Sequence, residues 1–324
     1  MEYRERPRLL CSRCIEFEHT RYDGQIIRSE IVRALKPHAD IIHTCPEAEI
    51  GLGIPRRPVR IEEDKDGNRL LIQPAFSKDH TDKMRGFVEK FLGGLPVIDG
   101  VILKSKSPSC GIGDVKIYPI GKKGPAKGRG NGFFGDEILK RYGDLAVEDE
   151  KRLLNEDIRE HFLTKLFTTS RFREVMEAGD AKALVDFHSD HKFLLMAYDQ
   201  STMRKMGRVV ADQRSLGVHE ALRSYRELLL KAMGKGPGYK PVINVLQHCL
   251  GYFKDLSAEE KGFFLDMIDT YRDGRVPLSG LTSVIRSWSI RFDQDYIKRQ
   301  KFFDPYPEDL IIDHSQYRGR DLWK

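Results

Sequence analysis

Val97-Ile98-Asp99-Gly100-Val101-Ile102-Leu103, followed at once by Lys104-Ser105-Lys106-Ser107-Pro108-Ser109-Cys110-Gly111, is the stretch that decides how this chain is read. Its first seven residues form an apolar, β-branched run near glycines, the pattern of a buried strand. Cys110 therefore stands just past the C-terminal end of a strand, in a loop of serines with one proline and one glycine. In α/β proteins, sites collect at the carboxyl ends of strands. Two more cysteines repeat the setting: Cys14 follows the short run Leu9-Leu10-Cys11, and Cys45 follows Asp40-Ile41-Ile42-His43-Thr44. Three such strands in one sheet would bring three thiols to one edge.

Outward from there, strands and helices alternate through about residue 120. Ser29–Leu35 suits a short helix with Ser29 as its N-cap. Val59–Ile61 and Leu70–Ile72 flank the turn Lys65-Asp66-Gly67-Asn68 as a hairpin. Thr81–Leu92 has helical spacing through Met84, Phe87, Val88, Phe91 and Leu92. Gly51-Leu52-Gly53-Ile54-Pro55-Arg56-Arg57-Pro58 reads as loop, because its glycines and prolines break both regular patterns. Residues 136–175 read as helical, in two pieces, Asp136–Tyr142 and Asn155–Met176. After Gly179-Asp180 helices dominate: Ala181–Ala197, Ser201–Asp212, Val218–Met233, Pro241–Leu250, Ala258–Asp273 and Pro277–Arg291. The expected organisation is an α/β domain over residues 1–176, with a parallel or mixed sheet and flanking helices. An all-α domain over 177–310 and an irregular tail over 311–324 complete it. Between Gly121 and Gly135, Lys122, Lys123, Lys127 and Arg129 stand among glycines with no acid before Asp136. Glycine and proline keep this segment from being a stable helix. It reads as a solvated loop or as a mobile strap that lies against phosphates.

A chain of 324 residues has room for two cores, and 40% hydrophobic with 32% charged residues is the norm for globular proteins. No apolar run approaches the roughly 20 residues of a membrane span. Met1–Arg8 is charged with no apolar run after it, unlike a secretory signal. The expectation is a cytoplasmic protein with no membrane partner. A net charge of +6 permits an anionic partner. Five cysteines, an odd number, point to metal or thiolate chemistry rather than a disulfide framework.

Three converging thiolates admit two centres. Zinc would need a second knuckle beside Cys11-Ser12-Arg13-Cys14, or His43 as fourth ligand. A cubane iron–sulfur cluster on three cysteines would leave one iron open as a Lewis acid. Cys11 and Cys249 read as small buried residues. His188 and His191, one helical turn apart, suit helix packing or a metal.

The string Cys14-Ile15-Glu16-Phe17-Glu18-His19-Thr20-Arg21-Tyr22-Asp23-Gly24, then Cys45-Pro46-Glu47 with Gly51-Leu52-Gly53-Ile54-Pro55-Arg56, then Lys104 to Gly111, resembles the thiouracil desulfidase family. The resemblance covers about residues 8–160. It departs where the family has Ser-x-Cys-Leu-Leu-Gly and this chain has Cys14-Ile15-Glu16-Phe17, which alters the turn after the cysteine. Counting back from Arg21 selects Cys14, not Cys11, as the first ligand. Phe187-His188-Ser189-Asp190-His191-Lys192, Asn244 to His248, Gly251-Tyr252-Phe253, Tyr271-Arg272 and Asp304-Pro305-Tyr306-Pro307 resemble a companion, YbgA-like helical domain. Together the halves resemble the tRNA 4-thiouridine desulfidases. That resemblance implies a [4Fe-4S] cluster on Cys14, Cys45 and Cys110 with one open iron, and a non-redox, hydrolytic conversion of 4-thiouridine in tRNA to uridine. Within it, Glu47, two residues after a ligand, is the expected general base, with Glu49 as its rival. Ser107 would position the base or shuttle a proton. Asp23 would either hydrogen-bond the uracil N3–H or cap a turn, and Ser109 is a further substrate contact. Lys122, Lys123, Lys127 and Arg129 would grip RNA, whose target base must be turned out of its stack. Desulfuration of free thiouracil and a cluster-bearing sensor are the other functions considered. The added helices, with Lys192, Arg204, Lys205, Arg208, Arg223 and Arg226, favour a macromolecular substrate.

Overall fold

The structure, a computed structural model, describes residues 6–121 and 124–311. The chain forms two compact units, one running to Ser170 and taking up the stretch from Pro307, the other Arg171–Tyr306. Among the described residues, nine strands lie in the first: β1 Arg8–Ser12, β2 Asp40–Thr44, β3 Arg60–Glu63, β4 Arg69–Gln73, β5 Lys78–Asp79, β6 Gly100–Leu103, β7 Val115–Pro119, β8 Gly128–Gly130 and β9 Ala146–Asp149. Its helices are α1 Glu30–Leu35, α2 Pro46–Glu49, α3 Thr81–Gly93 and α4 Phe133–Tyr142, and α5 Glu156–Ala178 begins in it.

Four strands make a wholly parallel sheet in the order β2-β1-β6-β9. β6 is buried along its whole length, as the uninterrupted Gly100–Leu103 run requires of an inner parallel strand. Gly100 packs closely there: a Cβ would stand 2.6 Å from the tip of the Leu166 side chain and 3.0 Å from the Ala146 carbonyl. The register pairs Ser12 with Thr44 at the ends of β1 and β2, so the segments carrying Cys14 and Cys45 leave the sheet side by side. The Ser12 hydroxyl accepts the Lys104 N–H at 3.0 Å, tying the exit of β6 to the same edge. The second sheet, β5-β4-β3-β7-β8, is mixed, with β3 and β7 parallel and its other pairs antiparallel. Ser29 caps α1, its side chain accepting from Val32.

Three local expectations change. Residues 46–49, where the sequence pattern shows no regular element, form one helical turn, with Pro46 placed where its missing N–H costs nothing. Ala146–Asp149, inside the span read as helical, is instead the edge strand beside β6. The glycine-rich loop contains a strand, β8, paired to β7, and its last glycines have a packing task described below.

The second unit is helical: α6 Ala181–Ala211, α7 Gln213–Leu216, α8 Val218–Ala232, α9 Tyr239–Leu250, α10 Ala258–Arg272, α11 Leu278–Arg291 and α12 Asp295–Lys298. α6 is interrupted at Asp199, whose backbone is extended (φ −153°, ψ 95°) and whose carboxylate accepts from the N–H and hydroxyl of Thr202. The two helices expected over Ala181–Asp212 meet there. Tyr225 anchors the core, stacked on Phe172 at 5.0 Å, with its hydroxyl 3.0 Å from His188 Nδ1. Cys249 is fully buried in this core. Among the described residues no helix is long and apolar enough to cross a membrane.

Candidate functional site

Past the C-terminal edge of β1, β2 and β6 lies a cavity of about 390 Å³ lined by Cys14, Cys45 and Cys110 together with Glu47, Ser107 and Ser109. All three cysteines are buried and unpaired. Burial raises the Cys14 thiol to about 12, with the neighbouring Cys45 adding to the shift, and carries Cys110 well above its ordinary value. Such thiols stay protonated until a metal claims them, and coordination removes the proton outright.

The Cys110 loop is fixed by its own serines. The Ser107 hydroxyl accepts the N–H groups of Ser109 (3.2 Å) and Cys110 (3.1 Å), so its place is the turn itself. Ser105 and Lys104 converge on the buried Glu150, which takes the Ser105 N–H (2.7 Å) and hydroxyl (2.8 Å) and the Lys104 ammonium (2.7 Å). From the other side, the start of α4 packs on the loop: Gly132, Phe134 and Gly135 donate N–H groups to Gly111 and Ser109 carbonyls. A Cβ on Gly132 would meet Ser109 O at 2.5 Å, and one on Gly135 would meet Gly111 O at 2.4 Å. That approach explains two glycines that composition alone suggests are there for flexibility.

Glu47 sits in the single turn of α2, two residues beyond Cys45. One carboxylate oxygen accepts the Ser109 hydroxyl at 2.9 Å and the other takes Arg56 Nε at 2.8 Å. The ion pair is nearly dry, with side-chain exposures of 4% for Arg56 and 10% for Glu47. Arg56 also donates to the Thr20 and Gly53 carbonyls, and its Nη2 lies 3.8 Å from Cys45 Sγ. Glu49, by contrast, points away to Arg13 at 2.6 Å and does not line the cavity.

Other expected residues fall elsewhere. Asp23 lines a neighbouring groove, not this cavity; its carboxylate accepts the Gln25 N–H at 3.1 Å and pairs with Arg21 at 3.0 Å, which caps the turn. His43 stacks on Phe17 with ring centres 4.6 Å apart, outside the cavity lining. Cys11 is buried within β1, in register with His43 and Ile102. Lys127 pairs with Glu63 at 2.7 Å and Arg129 lies in β8, while Lys122 and Lys123 fall outside the described residues. His191 is buried against Phe187, with Nδ1 2.8 Å from that residue's carbonyl, a packing role. Arg56 is the residue that pattern reading passed over. Its signal was an arginine closing a loop of glycine and proline, which needs an acid once buried.

Among the described residues, no three His, Cys, Asp or Glu side chains gather closely enough to share a single metal ion. Three thiols spread around one cavity suit a multi-iron group, in which each thiolate meets its own iron. Among the described residues, no histidine and no fourth cysteine line the cavity. Five cations, Arg21, Arg56, Lys104, Lys106 and Lys151, line it with one acid, Glu47.

Comparison with known proteins covers both halves. Residues 9–150 match the family described as 2-thiouracil desulfurase, and residues 192–307 match a family of proteins of unknown function, DUF1722. The uncharacterized protein YbgA of Escherichia coli (strain K12) is 26% identical over 156 residues, 47% of this chain and 92% of that protein. The uncharacterized protein YbbK of Bacillus subtilis (strain 168) is 33% identical over 111 residues, 32% of this chain and 74% of that protein. Among solved structures, the [4Fe-4S]-dependent thiouracil desulfidase TudS is 29% identical, over 46% of this chain and 94% of that one, with a TM-score of 0.36. The two-part resemblance drawn from the motifs is met.

Proposed function

The chain belongs to the 2-thiouracil desulfurase family through residues 9–150, and on that premise we propose that it removes sulfur hydrolytically from a thiolated uracil base, 4-thiouridine in tRNA, leaving uridine. One observation carries the proposal: three buried cysteines from adjoining strand ends line a single cavity with a carboxylate set into its wall. A [4Fe-4S] cluster held by Cys14, Cys45 and Cys110 would supply a soft Lewis acid at an iron without a protein ligand, with affinity for a thiocarbonyl sulfur.

The chain's own residues supply the proton chemistry. Water must replace sulfur at the ring carbon, so C=S and H2O become C=O and hydrogen sulfide, with no change of oxidation state. Glu47 has a free lone pair on each oxygen after its bonds to Ser109 and Arg56, and takes the proton of the attacking water. Arg56 holds that carboxylate in one orientation, and Ser109 links it to the Cys110 loop. Ser107 acts through the turn it caps. Lys106 and Lys151, lining cations with no ion pair among the described residues, suit a substrate that carries phosphate.

Anaerobic purification followed by reconstitution with iron and sulfide tests the proposal. About four irons per chain, falling thiouridine absorbance in bulk tRNA and released sulfide are the expected result. A chain that holds zinc in place of iron would overturn the mechanism. Four irons with unchanged tRNA would move the substrate to free thiouracil.

A further inference from the structure

Tyr22, Arg56 and Pro58 line the cysteine cavity and also a second, more open groove of about 960 Å³, so the two adjoin across these side chains. Arg57, Phe76 and Lys78 line that groove as well. Phe76 ends a short 3-10 turn, Pro74–Phe76, and is 65% exposed; Tyr22 is 41% exposed. Neither exposure is a folding requirement, since an aromatic ring left in water contributes little to the core. Both cations are exposed, and neither Arg57 nor Lys78 has an acidic partner among the described residues. The groove's one acid, Asp23, is already paired with Arg21. Beneath lies a buried floor: Gln73 donates its amide to the Arg57 carbonyl at 2.8 Å, and His80 stands 3.4 Å from the same side-chain amide.

Exposed aromatic faces beside unpaired cations are what single-stranded nucleic acids use, the rings stacking bases and the cations meeting the backbone. A free base has no use for such a groove, because the cavity alone would hold it. We propose that the groove takes the nucleotide adjoining the thiolated one in an RNA strand, its base stacked on Phe76 and its phosphate held by Arg57 and Lys78. This rests on the reading that the cavity receives a thiolated uracil. The shared wall of Tyr22 and Arg56 sets the order: target base at the cysteines, neighbour on Phe76.

The test separates the groove from the chemistry. Trinucleotides with unthiolated uridine at the centre and fluorescent 2-aminopurine on its 5′ or 3′ side are titrated with the full chain. The expected result is quenching at one of the two positions, with binding weakened about ten-fold by Phe76→Ala and with a shallower salt dependence in the Arg57→Ala, Lys78→Ala double variant. Phe76 is exposed, so its removal leaves folding intact. In turnover, Phe76→Ala lowers kcat/KM about ten-fold on a thiouridine trinucleotide and leaves the thiouridine nucleoside unchanged. Quenching on neither side, quenching that survives Phe76→Ala, or equal loss on nucleoside and trinucleotide overturns the proposal. So does concentration-dependent dimerisation abolished by Phe76→Ala, which would give the groove to a second copy. Absence of turnover in the wild type, with Phe76-dependent quenching retained, would strike the desulfidase reading alone.

Discussion

The Ser109 hydroxyl donates to Oε1 of Glu47 across 2.9 Å, and so joins the loop that carries Cys110 to the turn that carries Cys45. A carboxylate in that position is bound to the architecture of the thiols themselves. Glu47→Gln keeps the shape, removes the proton acceptor and leaves Arg56 without its buried counter-charge, so a lowered Tm accompanies it. It is expected to lower kcat about 100-fold or more while iron per chain stays at the wild-type level. Ser109→Ala, which frees the carboxylate without removing it, is expected to lose about ten-fold. Wild-type turnover in Glu47→Gln would pass the role of base to another group.

Arg56 is expected to matter to stability as much as to catalysis. Its pair with Glu47 is shielded from water, and removing one partner leaves an uncompensated buried charge, which costs about 3–5 kcal/mol. Arg56→Met should therefore lower the urea midpoint sharply, and Arg56→Met with Glu47→Gln should recover part of the loss. A double variant no better than Arg56→Met would show that the Thr20 and Gly53 carbonyls, not the ion pair, set its importance.

How far these features were legible differs residue by residue. Cys14, Cys45 and Cys110 were readable because each follows an apolar strand, and a parallel sheet brings strand ends together. The break at Asp199 was readable from where helical spacing stops. α2 was not, since four residues carry no periodicity, and its mark was only proline after a cysteine that serves as N-cap. β9 was hidden because Ala146-Val147-Glu148-Asp149 has little β character of its own and is a strand by virtue of its parallel pairing with β6. The Arg56–Glu47 contact is nine residues long and depends on how the Gly51–Pro55 loop turns back, which no local pattern encodes.

Gly135→Ala tests whether the glycines at the head of α4 serve the cysteine loop. Its Cβ would lie 2.4 Å from Gly111 O and 2.8 Å from Cys110 O, both backbone atoms that cannot swing aside. Either α4 or the loop must move. The expected outcome is a lowered Tm together with a lower iron content after reconstitution. A lowered Tm with full iron occupancy would mean that α4 gives way and the loop does not.

Acid should weaken the fold through two histidines, the half-buried His161 and the buried His191. Burial, with Lys165 adding to it, lowers His161 to about 4, and burial beside Arg171 lowers His191 well below the ordinary value. A histidine whose folded pKa is depressed binds its proton more readily when unfolded. Stability is therefore full above about pH 6.5 and drains as pH falls toward 4. Urea midpoints at pH 7 and pH 5 should differ in the wild type, and the difference should shrink in His161→Gln. An unchanged difference would assign the acid sensitivity to His191 or to other groups.

The cysteines provide the last and most direct prediction. Cys14→Ala, Cys45→Ala and Cys110→Ala should each leave the chain folded and drop reconstituted iron to near zero, because all three thiols line the cavity and none has a substitute among its lining residues. Cys11→Ala and Cys249→Ala should hold iron at the wild-type level. Both are fully buried, Cys11 in β1 and Cys249 in the helical core, so each truncation costs on the order of 1 kcal/mol and shows as a lower Tm. The informative variant is Cys11→Ala: burial raises the Cys11 thiol well above its ordinary value, and the neighbouring Cys14 adds to the shift. Retained iron in Cys11→Ala fixes Cys14 as the ligand of the first strand. Iron lost in Cys11→Ala and kept in Cys14→Ala would move the ligand back into β1 and withdraw the centre from the cavity altogether.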